Sequence, residues 1–327
     1  MPVGLRYSEA RTDPWRRRVS TLHPLQKSKQ EKLNARQCRR EASPLTMTQP
    51  DPPTLASDGL PARLTGQWVQ GKNYYLCRYL DIMTLGVVKK WEAKLAYVDV
   101  FAGPGRSIIR DTGEEVEGSP VLSLKYEFAK YVFVDKPEVL SSLKKRLNGH
   151  PKFSQIAFLE GDCNDVIDDV RSELPANHLT LAFIDPTGLQ IKFRAVQRLV
   201  QNRKVDLLMT LQFGMGIKRN LQQYIRAERA ALTAYLGNAG WREDASAGGT
   251  ASQVVRRITN RYMQQLREMG YQTFRDREIE IRNDQNVFLY FMAFASRHPL
   301  GGKFWREAIK IEWTGQRQMN YAPMEGI

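Results

Sequence analysis

The sequence predicts an α/β fold of the Rossmann type: a sheet of five parallel strands closed by a C-terminal antiparallel hairpin, with a helical insertion and a disordered basic N-terminal tail. Three observations predict it. Five short runs rich in β-branched and aromatic residues alternate with helical stretches, the βαβ pattern of a parallel sheet covered on both faces. Four consecutive runs end in or beside a carboxylate, Asp99, Asp135, Asp162 and Asp185, at the edge where open α/β sheets hold their ligands. Near the C-terminus, two further strand patterns flank the turn residues Asn283-Asp284-Gln285-Asn286, as in a hairpin.

Compact structure begins at Trp68, where Trp68, Tyr74, Tyr75, Tyr79, Leu80 and Met83 make a dense apolar pattern suited to a helix that covers a sheet. The five strand runs are Ala96 to Phe101, Tyr131 to Asp135, Ile156 to Gly161, Leu179 to Asp185 and Val205 to Leu211. Helices are expected at Ser119 to Lys130, Pro137 to Leu147, Cys163 to Glu173 and Phe193 to Asn202. A helical insertion follows over about 213–270, from Ile217 to Leu236 and Ala251 to Met269, broken by the Gly/Ala/Ser-rich Gly237 to Thr250. Thr273 to Ile281 and Val287 to Ala295 form the closing hairpin.

A length of 327 residues with 42% hydrophobic and 26% charged side chains is a globular composition, which excludes a fibrous or wholly disordered chain. No uncharged apolar run approaches the ~18 residues of a membrane helix, so no membrane span is expected. Cys38, Cys77 and Cys163 are odd in number and far apart, which excludes a disulfide framework and a CxxC metal site and points to a reducing, cytoplasmic location. Half of the formal charge of +14 lies in residues 1–46, which hold 11 basic and 4 acidic side chains and few large apolar ones. That tail is expected to be disordered, either as a nucleic-acid arm or as sequence ahead of a start at Met47. Residues 47–67, rich in Pro, read as a linker to a domain spanning 68–327.

The residues with chemistry lie at the strand ends. Asp99-Val100-Phe101-Ala102-Gly103-Pro104-Gly105-Arg106 puts glycines where a backbone must turn and approach a ligand closely. Asp135, one strand on, stands where ribose hydroxyls find a carboxylate. Gly161-Asp162-Cys163-Asn164 ends the third strand and Asp185-Pro186 the fourth. Any one such residue is ordinary punctuation of a strand end. Four in register point to a nucleoside-type site.

This series resembles that of class I methyltransferases. More closely, Tyr97 to Arg106, Gly118-Ser119-Pro120, Gly161 to Asn164, Ala182 to Leu189, Val205 to Leu208 and Phe294 to Gly301 resemble the three-Cys-motif partner protein family, TcmP, from about Trp68 to Trp305. The resemblance implies S-adenosylmethionine as cofactor, held by Asp99, Phe101, Gly103, Gly105, Asp135, Asp162 and Cys163, with Asp185 and Pro186 at the methyl acceptor. It also implies pairing with a radical-SAM-type protein that bears a three-cysteine motif. Two departures stand out. Arg106 to Gly118 intervenes before the first helix, as a lid or a surface hairpin, with Ser119 as the expected N-cap. Enzymes that methylate the amino groups of bases carry an aromatic residue after Asp/Asn-Pro-Pro, whereas here the run is Asp185-Pro186-Thr187-Gly188, leaving Phe193 or Phe213 as substitutes.

Other candidates carry less. His150, His178 and His298 lack metal-ligand spacing. Lys218, Arg219, Arg226, Arg229, Arg256, Arg257 and Arg261, near Tyr224 and Tyr262, make a basic insertion suited to nucleic-acid phosphates or to a solvated helix face. Two functions are therefore expected in competition: a methyltransferase, or a non-catalytic Rossmann adaptor that docks the partner protein or nucleic acid. Because residues 1–46 lack core-forming side chains, deleting them should leave the melting temperature within about 1–2 °C of the full chain, while any nucleic-acid affinity owed to the tail falls with its salt dependence. A large fall in melting temperature would show that the tail packs on the domain.

Overall fold

The computed structural model describes residues 54–91, 94–218, 220–228, 231–273 and 278–313. The basic segment 1–46 lies outside the described residues. A short strand β1 (Arg63–Thr65) and a long helix α1 (Trp68–Trp91) precede β2 (Leu95–Asp99), the strands β3 (Arg106–Ile109) and β4 (Glu115–Glu117), and the short helix α2 (Ser119–Ser123). Then β5 (Lys130–Asp135), α3 (Pro137–Leu147), β6 (Ile156–Glu160), α4 (Ile167–Glu173), β7 (Leu179–Ile184), α5 (Phe193–Val200) and β8 (Val205–Leu211) alternate. A π-turn at Phe213–Lys218 leads into α6 (Leu221–Arg226), α7 (Ala231–Leu236), α8 (Trp241–Ser246) and α9 (Ala251–Glu268). The chain closes with β9 (Gln272–Thr273), β10 (Ile279–Arg282), β11 (Phe288–Ser296) and α10 (Pro299–Ala308).

The main sheet runs in the order β10-β11-β8-β7-β2-β5-β6, with β9 beside the end of β11. β8, β7, β2, β5 and β6 are mutually parallel, and β11 is antiparallel to both β8 and β10. This is the Rossmann-like methyltransferase sheet expected from the sequence, five parallel strands plus the antiparallel hairpin. From β2 the chain builds outward through β5 and β6, then returns to the other side of β2 for β7 and β8. The crevice at the carboxyl end of β2 is thus a topological switch point, where ligands bind in such sheets.

Strands buried on both faces cannot show polar alternation. All five positions of β2 and all seven of β8 are buried. Successive side chains still alternate between faces. Ala96 and Val98 join Val132, Ala182 and Leu207 in a core under α4, α5 and α9, while Leu95 and Tyr97 join Tyr131, Phe133, Leu181 and Leu208 under α1, α3 and α10. The second core is aromatic: Tyr79 meets Phe294 at 4.7 Å between ring centroids, and Phe294 stacks on Trp305 at 5.7 Å.

Several local expectations change. α2 ends at Ser123 instead of running to Lys130, and its N-cap is Gly118, with no side-chain cap, instead of Ser119. The Ser119 hydroxyl is instead bonded to Asp99. The helix expected from Ile217 to Leu236 is broken into a π-turn, α6 and α7. A Cβ on Gly214 would stand 2.3 Å from the Leu289 carbonyl oxygen, so this segment presses its backbone against β11, which a regular helix with side chains all round does not allow. The break at 237–250 contains α8, because Trp241 is fully buried and its Nε1 donates to Thr233 Oγ1 at 2.9 Å.

Within the stretch expected as a linker, residues from Thr54 onward are folded onto the domain. β1 pairs in parallel with β3, which pairs with β4, forming a second, three-stranded sheet. Arg146, in the last turn of α3, clamps the segment. Its guanidinium donates to both oxygens of Asp58 at 2.7 and 2.9 Å, and to the carbonyls of Leu60, Pro61 and Pro104 at 2.9, 2.7 and 2.5 Å. Composition revealed the prolines but not the guanidinium that gathers them.

Arg146→Ala removes all five bonds and should lower unfolding stability by about 2 kcal/mol or more, and the exposed partner's Asp58→Asn by about 1. Arg146 holds the Asp58 carboxyl at about 2, below its ordinary 3.8. The contribution of the pair is therefore complete above that ordinary value and lost as the pH falls toward about 2. Urea unfolding at neutral pH and near pH 3 should show the difference between wild type and Arg146→Ala shrinking at acid pH. A constant difference would remove the pairing from the account.

Candidate functional site

The loop after β2 places two glycines in left-handed conformations, Gly103 at φ +69° and Gly105 at φ +90°, which side chains resist. A Cβ on Gly105 would also meet Leu143 at 2.8 Å. Asp135, at the end of β5, accepts the Gly103 N–H at 2.8 Å through one oxygen and the Lys136 N–H at 2.8 Å through the other. Two of the sequence-predicted features, the glycine loop and the second carboxylate, thus touch.

Asp162 is exposed, and its Oδ1 accepts both the backbone N–H and the side-chain amide of Asn164, at 2.8 and 2.7 Å. The Asn164 amide also donates to the Gln190 carbonyl at 2.8 Å and its oxygen accepts from Lys192 N–H at 2.7 Å, which ties the loop after β6 to the loop after β7. Cys163 faces inward. It is 4% exposed in the core with Val100 and Ile167, and burial pushes its thiol up to about 12, so it is an unreactive apolar side chain.

Asp185, just beyond β7, is buried, accepts a hydrogen bond from Thr210 Oγ1 at 2.7 Å, and forms an ion pair with Lys72 of α1. The carbonyl of Pro186 accepts from Gln212 Nε2 at 2.7 Å. Asp99 is fully buried and accepts from the Phe101 N–H at 3.3 Å, the Tyr97 hydroxyl at 3.4 Å and the Ser119 hydroxyl. Burial, reinforced by the charge of nearby Asp185, pushes the Asp99 carboxyl up to about 7, against the pull of Ser119, the Phe101 N–H and Lys72.

Beside the glycine loop and Asp185 lies a narrow cleft walled by Arg63, Lys72, Asn73, Phe101, Ser119 and Asp185, with the Gly103–Gly105 backbone as its floor; Asp99, Asp135, Asp162 and Cys163 are not among its lining residues. Arg63, Lys72 and Asn73 escaped the sequence reading. Lys72 left a faint trace, a lysine inside an otherwise apolar and aromatic helix pattern, whereas Arg63 sits in a Pro-rich stretch with no periodicity. The Asn73 amide nitrogen donates to the Glu117 carbonyl at 2.9 Å, while its buried Oδ1 has no partner among the described residues. The segment 106–118 proves to be the β3–β4 hairpin, and Arg106, Ser107 and Gly118 at its base contribute to one wall.

Other candidates lie away from the cleft. Phe193 and Phe213, the proposed substitutes for a stacking aromatic, are buried in the core against Tyr262, at 5.2 and 6.3 Å between ring centroids. Neither is free to stack a substrate. Tyr262 is itself buried. His150 and His298 accept backbone N–H bonds from Lys152 and Leu300, and among the described residues no group of His, Cys, Asp and Glu is disposed to hold a metal. Arg219 and Arg229 lie outside the described residues. No described helix is long and apolar enough to cross a membrane.

No family model matches the sequence, and no curated protein matches it. Among solved structures, the chain is similar to the O-methyltransferase from Bacillus cereus in complex with SAH, with 9% identity, 85% of this chain and 93% of that chain covered, and a TM-score of 0.39. It is also similar to the O-methyltransferase TomG from Streptomyces achromogenes in complex with SAM, at 9% identity, 72% and 91% coverage and a TM-score of 0.38. Protein LPL1258 from Legionella pneumophila shows 10% identity, 75% and 94% coverage and a TM-score of 0.44.

The buried Asp99 generates a pH dependence. A carboxyl raised from 3.8 to about 7 keeps its proton in the folded chain over a range where the unfolded chain has lost it, so stability falls as the pH rises through that window and levels off above about 7. Asp99→Asn should flatten this fall, measured as the denaturant midpoint from pH 4 to 8. A wild-type profile parallel to that of the variant would show that Asp99 stays ionised.

Proposed function

We propose that the chain is an S-adenosylmethionine-dependent methyltransferase. One observation carries the reading: a glycine loop bonded to Asp135 and a buried Lys72–Asp185 pair meet in one crevice at the switch point of the sheet. The residues present suit the cofactor. The Gly103–Gly105 backbone admits close approach, the Arg63 guanidinium suits its carboxylate, and the unpartnered Asn73 Oδ1 suits its ammonium. Asp135 would take the ribose hydroxyls and the Asp162–Cys163 loop would border the base, with Asp99 and Phe101 beneath.

When bound, the cofactor supplies an already activated methyl group, so the work left to the protein is mostly positioning. Asp185 accepts the hydrogen bond of the acceptor N–H or O–H and takes the proton as the methyl is transferred. Lys72 offsets the charge of that carboxylate in a site with little water, and Thr210 orients it. Along the resemblance to TcmP, the reading extends to joint action with a radical-SAM-type protein bearing a three-cysteine motif. A second reading, the Rossmann adaptor without catalysis, is favoured by the burial of Phe193 and Phe213, which leaves Asp185-Pro186 without a stacking ring.

Calorimetry should detect S-adenosylmethionine binding, weakened about 10- to 100-fold in Asp135→Ala. Asp185→Asn should bind almost as before and lose turnover by about 10² or more, measured as labelled methyl transferred in cell extract supplemented with the three-cysteine partner. Equal incorporation by wild type and Asp185→Asn would remove Asp185 from the mechanism. No incorporation by wild type, with partner binding intact, would favour the adaptor.

A further inference from the structure

The insertion encloses a second cavity, separate from the cofactor cleft. It lies between α9, the end of the π-turn and the β10–β11 hairpin, and has a volume of about 640 Å³, within the ~300–1,000 Å³ of ligand sites. β7, β8 and β11 are consecutive neighbours in the sheet, so the strand that begins at Phe288 lies two spacings, about 10 Å, from the strand that leads to Asp185. Because β11 is antiparallel to β8, with Phe291 opposite Leu211, its first residues stand at the carboxyl edge, the same edge as Asp185.

The cavity lining combines aromatic, amide, cationic and acidic groups; the acids are Glu278 and Glu280, of which Glu280 is paired with Arg282. Phe288 and Phe291, both half-buried, form an aromatic wall with ring centroids 4.6 Å apart. The side-chain oxygen of Asn260 is buried and has no partner among the described residues. Lys218 and Arg256 are exposed at the cavity, and neither forms an ion pair among the described residues. Neighbouring cations are differently placed. Arg257 donates to the Asp244 carbonyl, Arg261 pairs with the Asp244 carboxylate at 2.6 Å, and Arg282 is engaged by Glu280. Arg257, Arg261 and Arg282 are thus engaged by neighbouring groups, whereas Lys218 and Arg256 are not paired with a carboxylate among the described residues.

We propose that this cavity is a subsite for one nucleotide of a single-stranded nucleic acid, adjacent to the acceptor group presented to Asp185. Lys218 and Arg256 take the phosphate, the Phe288 ring stacks the base, and the Asn260 oxygen accepts from an exocyclic amino group. A phosphate needs uncommitted cations and a base needs an aromatic face; an unpaired buried acceptor adds a preference for bases that carry an amino group. The assignment of the neighbouring acceptor rests on the methyltransferase reading, whereas the binding itself does not.

The test is fluorescence anisotropy of a short labelled single-stranded oligonucleotide of mixed sequence, titrated with the full chain across a range of salt without cofactor. Lys218→Ala/Arg256→Ala should weaken binding about tenfold or more and reduce the slope of log affinity against log salt by about 0.7, the change expected for one phosphate contact on a single strand. Phe288→Ala should weaken it by about 5- to 100-fold. The equally charged control Lys145→Ala/Arg194→Ala, at exposed positions on α3 and α5, should retain wild-type affinity at the subsite. Thermal melting of each variant checks its fold; the two cation substitutions are at exposed positions and keep the test decisive should Phe288→Ala unfold. Absence of binding by wild type, or an equal loss in the control and in Lys218→Ala/Arg256→Ala, would overturn the proposal. Oligonucleotide binding with these losses but no S-adenosylmethionine binding would leave the subsite standing and sink the methyltransferase reading alone.

Discussion

Two carboxylates and one lysine set the terms for this site. Asp99 and Asp185 stand at the ends of neighbouring parallel strands, both withdrawn from water, and Lys72 is the cation that faces them. Charge is costly to bury without a partner, so the sheet edge is tolerable only if α1 packs where its lysine reaches the strand ends. That requirement shapes the surrounding layer. α1 buries Tyr75, Leu76, Tyr79 and Leu80 in the aromatic core, and Tyr79 also donates to the buried Asp206 at 3.3 Å. The same helix delivers Asn73 to the cleft. A residue with a packing role and a residue with a chemical role are here consecutive turns of one element.

The basic character of the chain has a structural component that composition alone does not reveal. Helix ends leave carbonyls without intrahelical partners, and in this fold arginines from elsewhere take them. Arg171 and Arg297 donate to carbonyls at the end of α5, Arg203 to those at the end of α4, and Arg242 to those at and just beyond the end of α6. Arg146 does similar work for the strap that ends in β1. Each guanidinium suits this use because its five N–H donors spread in a plane. Part of the positive charge is therefore consumed inside the domain.

Much of the fold was legible because its signals are local. β-branched and aromatic runs bounded by turn residues locate the five parallel strands, and Pro137 to Leu147 coincides with α3. The hairpin was legible from its Asn/Asp turn. Elements in the insertion were misread where a tertiary demand overrode propensity: Gly214 is pressed on the backbone of β11, and Trp241 pulls a helix into a Gly/Ala/Ser-rich stretch. The acidic half of the site was legible for the same local reason, since each carboxylate ends a strand. Its basic half was not.

The sequence by itself determined the order of strands and helices, the glycines that must turn at the first strand end, and the row of carboxylates at one edge, because each depends on residues a few positions apart. Only the tertiary structure decided which cations answer them. Lys72 meets Asp185 across 113 positions and Arg146 meets Asp58 across 88. No periodicity links such pairs, since what selects them is the packing of a helix on a sheet and the cost of leaving a buried charge alone. The fate of Cys163 was decided in the same way: its position marks a ligand loop, and the rotation of that loop turns its thiol into the core.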